Sequence, residues 1–269
     1  MGIVALTREL GSMGTYIGER VAERRGYRYV RREILAEAAR FGEVSEDQLV
    51  DVVEGGPSLW ERLAEPGHRS YLHVAAAVLE FAAADDVVLV GRWSTMLLRG
   101  VRHAARVRIC APLEVRVRRL MERMKISHPE ARALAERYDQ GVRTRVRQFF
   151  DVEWDDGGLY DLVINTERVS VDEACAHIDG LLNSAEFRAD EASRQDVRDR
   201  ALAARIAEAL KMNARTARVA AQVSAHRGVV TLDGLVFSSE DRDAAVSVAQ
   251  GVTGVSAVSS SMQVARASS

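Results

Sequence analysis

Residues 2–15 read Gly-Ile-Val-Ala-Leu-Thr-Arg-Glu-Leu-Gly-Ser-Met-Gly-Thr, and residues 16–25 continue Tyr-Ile-Gly-Glu-Arg-Val-Ala-Glu-Arg-Arg. The apolar run 2–7 predicts a short buried strand. From Thr15 onward Ile17, Val21 and Ala22 recur at helical spacing, so a helix follows a glycine-bearing turn. Such a junction is a physical anion trap. The first N–H groups of a helix have no intrahelical partner, and the helix dipole adds partial positive charge there. Gly11, Ser12, Met13, Gly14 and Thr15 occupy the position of the cradle. The stretch is not a full P-loop. That pattern needs a lysine before its Ser/Thr, where this chain has Gly14, and its first glycine is replaced by the Thr7-Arg8-Glu9 segment. Taken alone, Gly11-x-x-Gly14 is equally readable as an ordinary turn.

Working outward, Gly26 stops the helix and residues 27–30 read as a second strand. Residues 32–84 read as helix broken at Gly55-Gly56-Pro57 and Pro66-Gly67, with 73–84 a clear apolar helix. Residues 86–90 are a buried strand closed by Gly91-Arg92, and a helix starts within 93–99. Strand 106–110 leads through Pro112 into a basic helix over 113–125, and residues 129–150 are again helical. After an acidic, aromatic loop at 151–158 come a strand at 160–165 and a helix to about Leu182. Ser170 and Glu173 form its capping box. Strands alternating with helices imply right-handed crossovers and a largely parallel α/β sheet flanked by helices. The polar stretch 186–195 reads as a linker between a domain at 1–185 and a second at 196–264. In the second, a helix over 197–210, alternating strands at 218–225 and 229–237, a helix at 241–250 and a last alternating run at 255–264 give an αββαβ order. This predicts a small α+β domain with one sheet face covered.

The 269 residues are 47% hydrophobic, enough for a sizeable core. A net charge of -2 gives no global electrostatic case for nucleic acid. Cys110 and Cys175 lie in apolar runs and read as buried free thiols, and no Cys/His cluster has zinc spacing. No signal-peptide pattern opens the chain, Leu6 breaks the myristoylation motif, and no apolar run is long enough for a transmembrane helix, so a cytoplasmic protein is expected. Only Lys125 and Lys211 are lysines among 37 basic residues, so arginine must supply most of the cationic chemistry.

The segment TRELGSMGTYIGERVAERRGYRY (7–29) resembles the opening of the cytidylate kinase-like family, where a Ser/Thr-Arg-Glu-x-Gly-Ser-x-Gly motif replaces the usual P-loop lysine. VVLVGRWSTMLLRG (87–100), RICAPLEVRVRRLMER (108–123) and LYDLVINTERVSVDEA (159–174) are similar to the same family, the last two distinctively, and the likeness covers about 1–185. Met13 departs from it, standing where a small residue is expected. The resemblance implies a P-loop kinase-like fold, ATP and Mg²⁺ as cofactors, nucleotide substrates and phosphoryl transfer to a CMP-like acceptor. Phosphoryl transfer needs positioning and cations around a spreading negative charge. Arg8 is then the replacement for the missing lysine. Residues Gly11, Ser12, Met13, Gly14 and Thr15 hold the phosphates, with the Thr15 hydroxyl near the metal. Arg92 matches the arginine that holds the acceptor monophosphate. Arg137, Arg143, Arg145 and Arg147 form a basic run on a lid. Of these Arg137 and Arg143 are catalytic candidates and Arg147 a cofactor-binding one, with a solvated helix face as the alternative. Asp155 and Asp156 read as a solvated acidic loop, and Arg116, Arg118 and Arg119 as surface charge. Arg31 and Arg32 flank the segment where the acceptor insertion belongs, which carries no recognisable base reader.

VVTLDGLV (229–236) and VTGVSAV (252–258) resemble a BON domain covering about 196–264. The resemblance implies contact with lipid, small ligands or protein through a non-catalytic module, and His226 reads as a turn residue. Two further readings stay open. One is a nucleotide-binding regulatory pseudokinase, motivated by the absent lysine and Met13. The other is a scaffold that keeps only the fold. Oligomeric state is not legible.

Overall fold

The run Ile3–Arg8, apolar through Leu6 and almost wholly buried, becomes the central strand, β1, of a parallel sheet. A computed structural model of the chain describes residues 2–31, 34 and 66–265. Helix α1 (Gly14–Arg25) follows and ends on Gly26, whose φ of 66° suits a left-handed cap. Then come β2 (Arg28–Val30), α2 (Pro66–Ala83), β3 (Val87–Val90), the short α3 (Ser94–Leu97), β4 (Ala104–Cys110), α4 (Leu113–Met124), α5 (His128–Phe150), β5 (Leu162–Asn165) and α6 (Val171–Asn183). The sheet order is β2-β3-β1-β4-β5, every pair parallel. Parallel strands covered on both faces read as continuous apolar runs, and β3 is buried at all four positions.

Helices on the two faces make two cores. One joins α2, α5 and Trp154 to β1 and β3; the other joins α1 and α6 to β1, β3 and β4. Capping fixes several helix starts. Ser170 accepts from the Glu173 N–H at 3.3 Å while the Glu173 carboxylate accepts from the Ser170 N–H at 2.9 Å. The close approach of α1 to the sheet needs Gly18, because a Cβ there would lie 2.8 Å from Val90 Cγ2.

The second unit follows. Helix α7 (Glu191–Met212), strands β6 (Ala220–His226) and β7 (Val229–Val236), helix α8 (Ser239–Gln250) and strands β8 (Ala257–Ser260) and β9 (Gln263–Val264) form a separate small sheet with helices. β7 is antiparallel to β6 and parallel to β8 and β9. The alternating run at 255–264 is split into β8 and β9, because Ser261 and Met262 interrupt the pairing and Met262 turns into the core. Helix α7 begins at Glu191, inside the stretch read as linker. Its Asp190–Ser193 cap supplies a start signal that apolar periodicity does not carry. Val197 and Ala201 belong to the first unit's core, and Leu202, Ile206 and Leu210 to the second's, so one helix is shared by both. Buried His73 of α2 pairs with buried Glu208 of α7 across this junction.

Both thiols are free, Cys175 buried and Cys110 half-buried, and burial pushes both thiol pKa values up. Among the described residues no helix is long and apolar enough to cross a membrane, and no group of three or more His, Cys, Asp or Glu side chains could hold a metal ion. His226 is not a turn residue. It closes β6, and its Nδ1 lies 3.3 Å from Asp199.

Candidate active site

The loop between β1 and α1 opens a cleft of about 310 Å³ at the C-terminal edge of the sheet, lined by Arg8, Gly11, Met13, Gly14 and Thr15 among others. Ligands of open parallel sheets sit at this edge, where the strand order reverses around β1. α1 has no side-chain cap and no acidic residue in its first turn, so its leading N–H groups and dipole face the cleft uncompensated. Two glycines are sterically required. Gly11 has φ +84° and a Cβ there would lie 2.9 Å from the Arg116 carbonyl oxygen; at Gly14 a Cβ would lie 2.6 Å from Arg8 Cβ. Met13 keeps a left-handed φ of 67° although it carries a side chain, a conformation L-residues reach at a cost.

Arg8 lies across the loop. Its Nε donates to Thr15 Oγ1 at 2.9 Å and its Nη1 to the Tyr138 hydroxyl at 3.3 Å. Arg92 follows β3 and is buried, with its guanidinium 4.5 Å from the centre of the Tyr138 ring. Arg8 and Thr15 therefore line the cleft, while Arg92 is joined to them through Tyr138 rather than by lining the same cavity. Ser12 is wholly buried; its hydroxyl and its backbone N–H both donate to the Glu9 carbonyl, at 2.8 and 3.2 Å, and its carbonyl accepts from the Thr166 hydroxyl at 2.8 Å, so it shapes the loop.

The arginines of α5 diverge. Arg137 is exposed. Arg143 Nε donates to Asp155 at 2.5 Å, and Arg147 pairs with Glu153 at 2.9 Å at an exposed position. Arg145 is buried on the opposite side of the helix. Asp155 is thus not merely solvated. Burial works to raise its pKa, but the hydrogen bonds from Arg143 and Arg108 hold it below the usual carboxylate range.

Beneath the loop runs a chain of alternating charges. Arg143 meets Asp155; Asp155 meets Arg108 at 2.6 Å; Arg108 meets Glu9 at 2.9 Å; Glu9 meets Arg116 at 3.2 Å; Arg116 meets Asp139 at 2.8 Å. Glu9 also accepts the Ala111 N–H at 3.0 Å. Three arginines and three carboxylates cancel; Glu9, Arg108, Arg116 and Asp139 are buried and need their partners, while the Arg143–Asp155 end is half-exposed. Burial pushes the Asp139 carboxyl up despite the Arg116 guanidinium beside it. Arg108 also lies 4.2 Å from the centre of the Trp154 ring, and Tyr160, which donates to the Trp154 carbonyl at 2.7 Å, has its pKa pushed up to about 12 by burial. Arg116 is consequently not surface charge; it is 5% exposed. The sequence held a signal for this. Positions 113, 116, 117 and 120 form one helical stripe, so Arg116 shares the face of buried Val117 and Leu120. Asp139 likewise sits at helical spacing between Ala135 and Val142. Tyr138 and the cleft residues Tyr16, Glu19 and Arg123 carried no such signal. Arg31 lines this same cleft, while Arg32 and the segment 35–65 lie outside the described residues.

A family model described as the cytidylate kinase-like family matches residues 3–168, and one described as the BON domain matches residues 198–266. Over 184 residues the chain is 30% identical to a cytidylate kinase of Methanopyrus kandleri, covering 64% of this chain and 90% of that protein. Over 182 residues it is 23% identical to a cytidylate kinase of Methanocorpusculum labreanum, covering 67% and 96%. An uncharacterized protein of Eubacterium ventriosum has a similar fold, with a TM-score of 0.53 at 19% identity over 68% of this chain and 99% of that one.

Proposed function

This chain belongs to the cytidylate kinase-like family and carries a BON domain, and from that premise we propose that it transfers the γ-phosphoryl group of ATP to a nucleoside monophosphate, CMP being the first acceptor to try. The observation that carries the reading is Arg8 lying over the glycine loop, bonded to Thr15 at the open N-terminus of α1. A guanidinium there supplies the charge that the absent lysine supplies elsewhere, and its planar fork suits phosphate oxygens. Backbone N–H groups of Gly11 and of residues 13–15 hold the donor phosphates, Arg92 holds the acceptor phosphate, and Thr15 contributes a hydroxyl toward Mg²⁺; Ser12, whose N–H is taken by the Glu9 carbonyl, supports the loop from below. Thr15 would hold Mg²⁺ through its hydroxyl, and the chemistry supplied there would be neutralisation of phosphate charge. The residues fit that role only in part. Thr15 offers a hydroxyl at the loop, and no group of three or more His, Cys, Asp or Glu side chains stands together among the described residues, so phosphate oxygens and water would complete the metal's shell. Arg137, Arg143 and Arg147 are the lid arginines in this reading. For Arg143 and Arg147 to reach phosphate, Asp155 and Glu153 must release them.

We place the division of labour at 1–185 for phosphoryl transfer and 196–264 for a non-catalytic module that contacts lipid, a small ligand or protein, with 186–195 between them. The test is ADP formation from ATP and Mg²⁺ with each nucleoside monophosphate in turn. Arg8→Ala should lower kcat by about a hundredfold, the loss typical of removing one preorganised donor from a developing charge. A folded wild-type protein that turns over none of the acceptors sinks the reading; an Arg8→Ala variant of normal rate sinks the role of Arg8.

A second reading, a nucleotide-binding regulator without turnover, is favoured by one feature. Arg8 spends its Nε donor on the Thr15 hydroxyl, placing a cation beside the oxygen meant for a metal. It predicts a thermal shift with ATP that is the same with and without Mg²⁺.

A further inference from the structure

Tyr138 touches both arginines of the site by different parts of one side chain. Its hydroxyl accepts from Arg8 Nη1 at 3.3 Å, and its ring face lies 4.5 Å from the Arg92 guanidinium carbon. Arg8 closes β1 beside the phosphate loop, whereas Arg92 follows β3, two strands that pair in the sheet. We propose that Tyr138 is a positioning residue that locks Arg8 and Arg92 into a single clamp, setting the spacing between the donor phosphates and the acceptor phosphate; the proposal rests on the phosphotransferase reading above.

Tyr138 is built to hold still. On one side of it along α5, Ala131 and Ala135 pack with Val117 and Leu120 of α4; on the other, Val142 and Val146 enter the main core. The next residue, Asp139, is tied to Arg116 at 2.8 Å. The ring therefore projects from a stretch of helix anchored at three points. The ring attracts the Arg92 guanidinium through its π face and offers no carboxylate, so it holds the cation in place without neutralising the charge a phosphate would meet. A hydroxyl acceptor likewise fixes one Arg8 nitrogen without neutralising the cation, which a carboxylate in the same place would do. Thr15 fixes another Arg8 nitrogen at 2.9 Å. Held at two atoms, Arg8 cannot swing away from the loop without breaking both bonds.

The two contacts can be separated by substitution. Tyr138→Phe keeps the ring under Arg92 and removes the acceptor for Arg8. Tyr138→Leu removes both. In steady-state kinetics with ATP and the best acceptor, Tyr138→Phe should lower kcat or raise the KM for ATP by roughly tenfold, the scale of one hydrogen bond to a charged group, with the acceptor KM unchanged. Tyr138→Leu should add a rise of about fivefold in the acceptor KM, the scale of a lost cation–π contact. A merely structural role would move the two KM values together in Tyr138→Phe, with no selective effect on ATP. Wild-type kinetics in Tyr138→Phe, or an unchanged acceptor KM in Tyr138→Leu, overturns the proposal while the phosphotransferase reading stands. An inactive wild-type protein overturns both.

Discussion

At position 13 a methionine adopts a backbone conformation that glycine occupies without strain, and the residue lines the cleft proposed to take phosphates. Flanking Gly11 and Gly14 show why the loop tolerates nothing larger at those sites: each is within 3 Å of another chain segment once a Cβ is added. Met13 escapes that constraint because its side chain can turn toward the core that packs α1. Met13→Gly should therefore change stability by no more than about 1 kcal/mol. Relief of the left-handed strain opposes the extra freedom glycine has in the unfolded chain. The same substitution should enlarge the melting-temperature rise produced by ATP, because the cleft gains room. An equal or smaller rise in Met13→Gly would mean that the side chain does not crowd the phosphates.

Between elements, Glu9 is the joint. It ties the end of β1 to Arg108 of β4 and Arg116 of α4, and Arg116 in turn to Asp139 of α5. Replacing it with glutamine leaves two buried guanidiniums one negative charge short. Glu9→Gln should cost about 3 kcal/mol, since breaking a buried pair strands its partner. The exposed Arg132–Glu136 pair on α5 offers the control, with side chains 45% and 53% exposed. Glu136→Gln should cost less than about 1 kcal/mol. Urea midpoints of the two variants measure both, and equal costs would show that the network beneath the loop holds nothing. Part of this was legible beforehand. The β1–turn–α1 junction could be read because periodicity and glycine chemistry are local, and so could the capping box at Ser170. The burial of Arg116 and Asp139 was written in helical spacing too, but a charged residue on an apolar stripe becomes interpretable only when its partner is known. For Arg116 that partner is Glu9, more than a hundred residues away in the chain, and for Asp139 it is Arg116 on the neighbouring helix.

Across the whole molecule, α7 decides how the two units behave. Its first half completes the core under α2 and its second half the core under β7, with the His73–Glu208 pair at the crossing. A helix whose two ends belong to different cores cannot unfold with one and stay with the other. Calorimetry of the full chain should show one cooperative transition, although the two sheets share no strand. Two well-separated transitions would mean that the shared helix does not couple them. For the same reason, a ligand that stabilises the BON domain should raise the melting temperature of the kinase-like domain.

The chain's own order of residues determined the parallel sheet, the phosphate-loop junction with its two glycines, and the small second sheet. Hydrophobic period, glycine placement and caps act within a few residues and survive without knowledge of the rest. Tertiary structure alone decided that Arg8 and Arg92 meet on Tyr138, that the acidic loop captures Arg143, and that the helix reaching into two cores starts at Glu191, halfway through the stretch read as linker. Each of these depends on groups brought together by folding, Arg8 and Tyr138 being 130 positions apart, and at that separation periodicity carries no information about which side chains will touch.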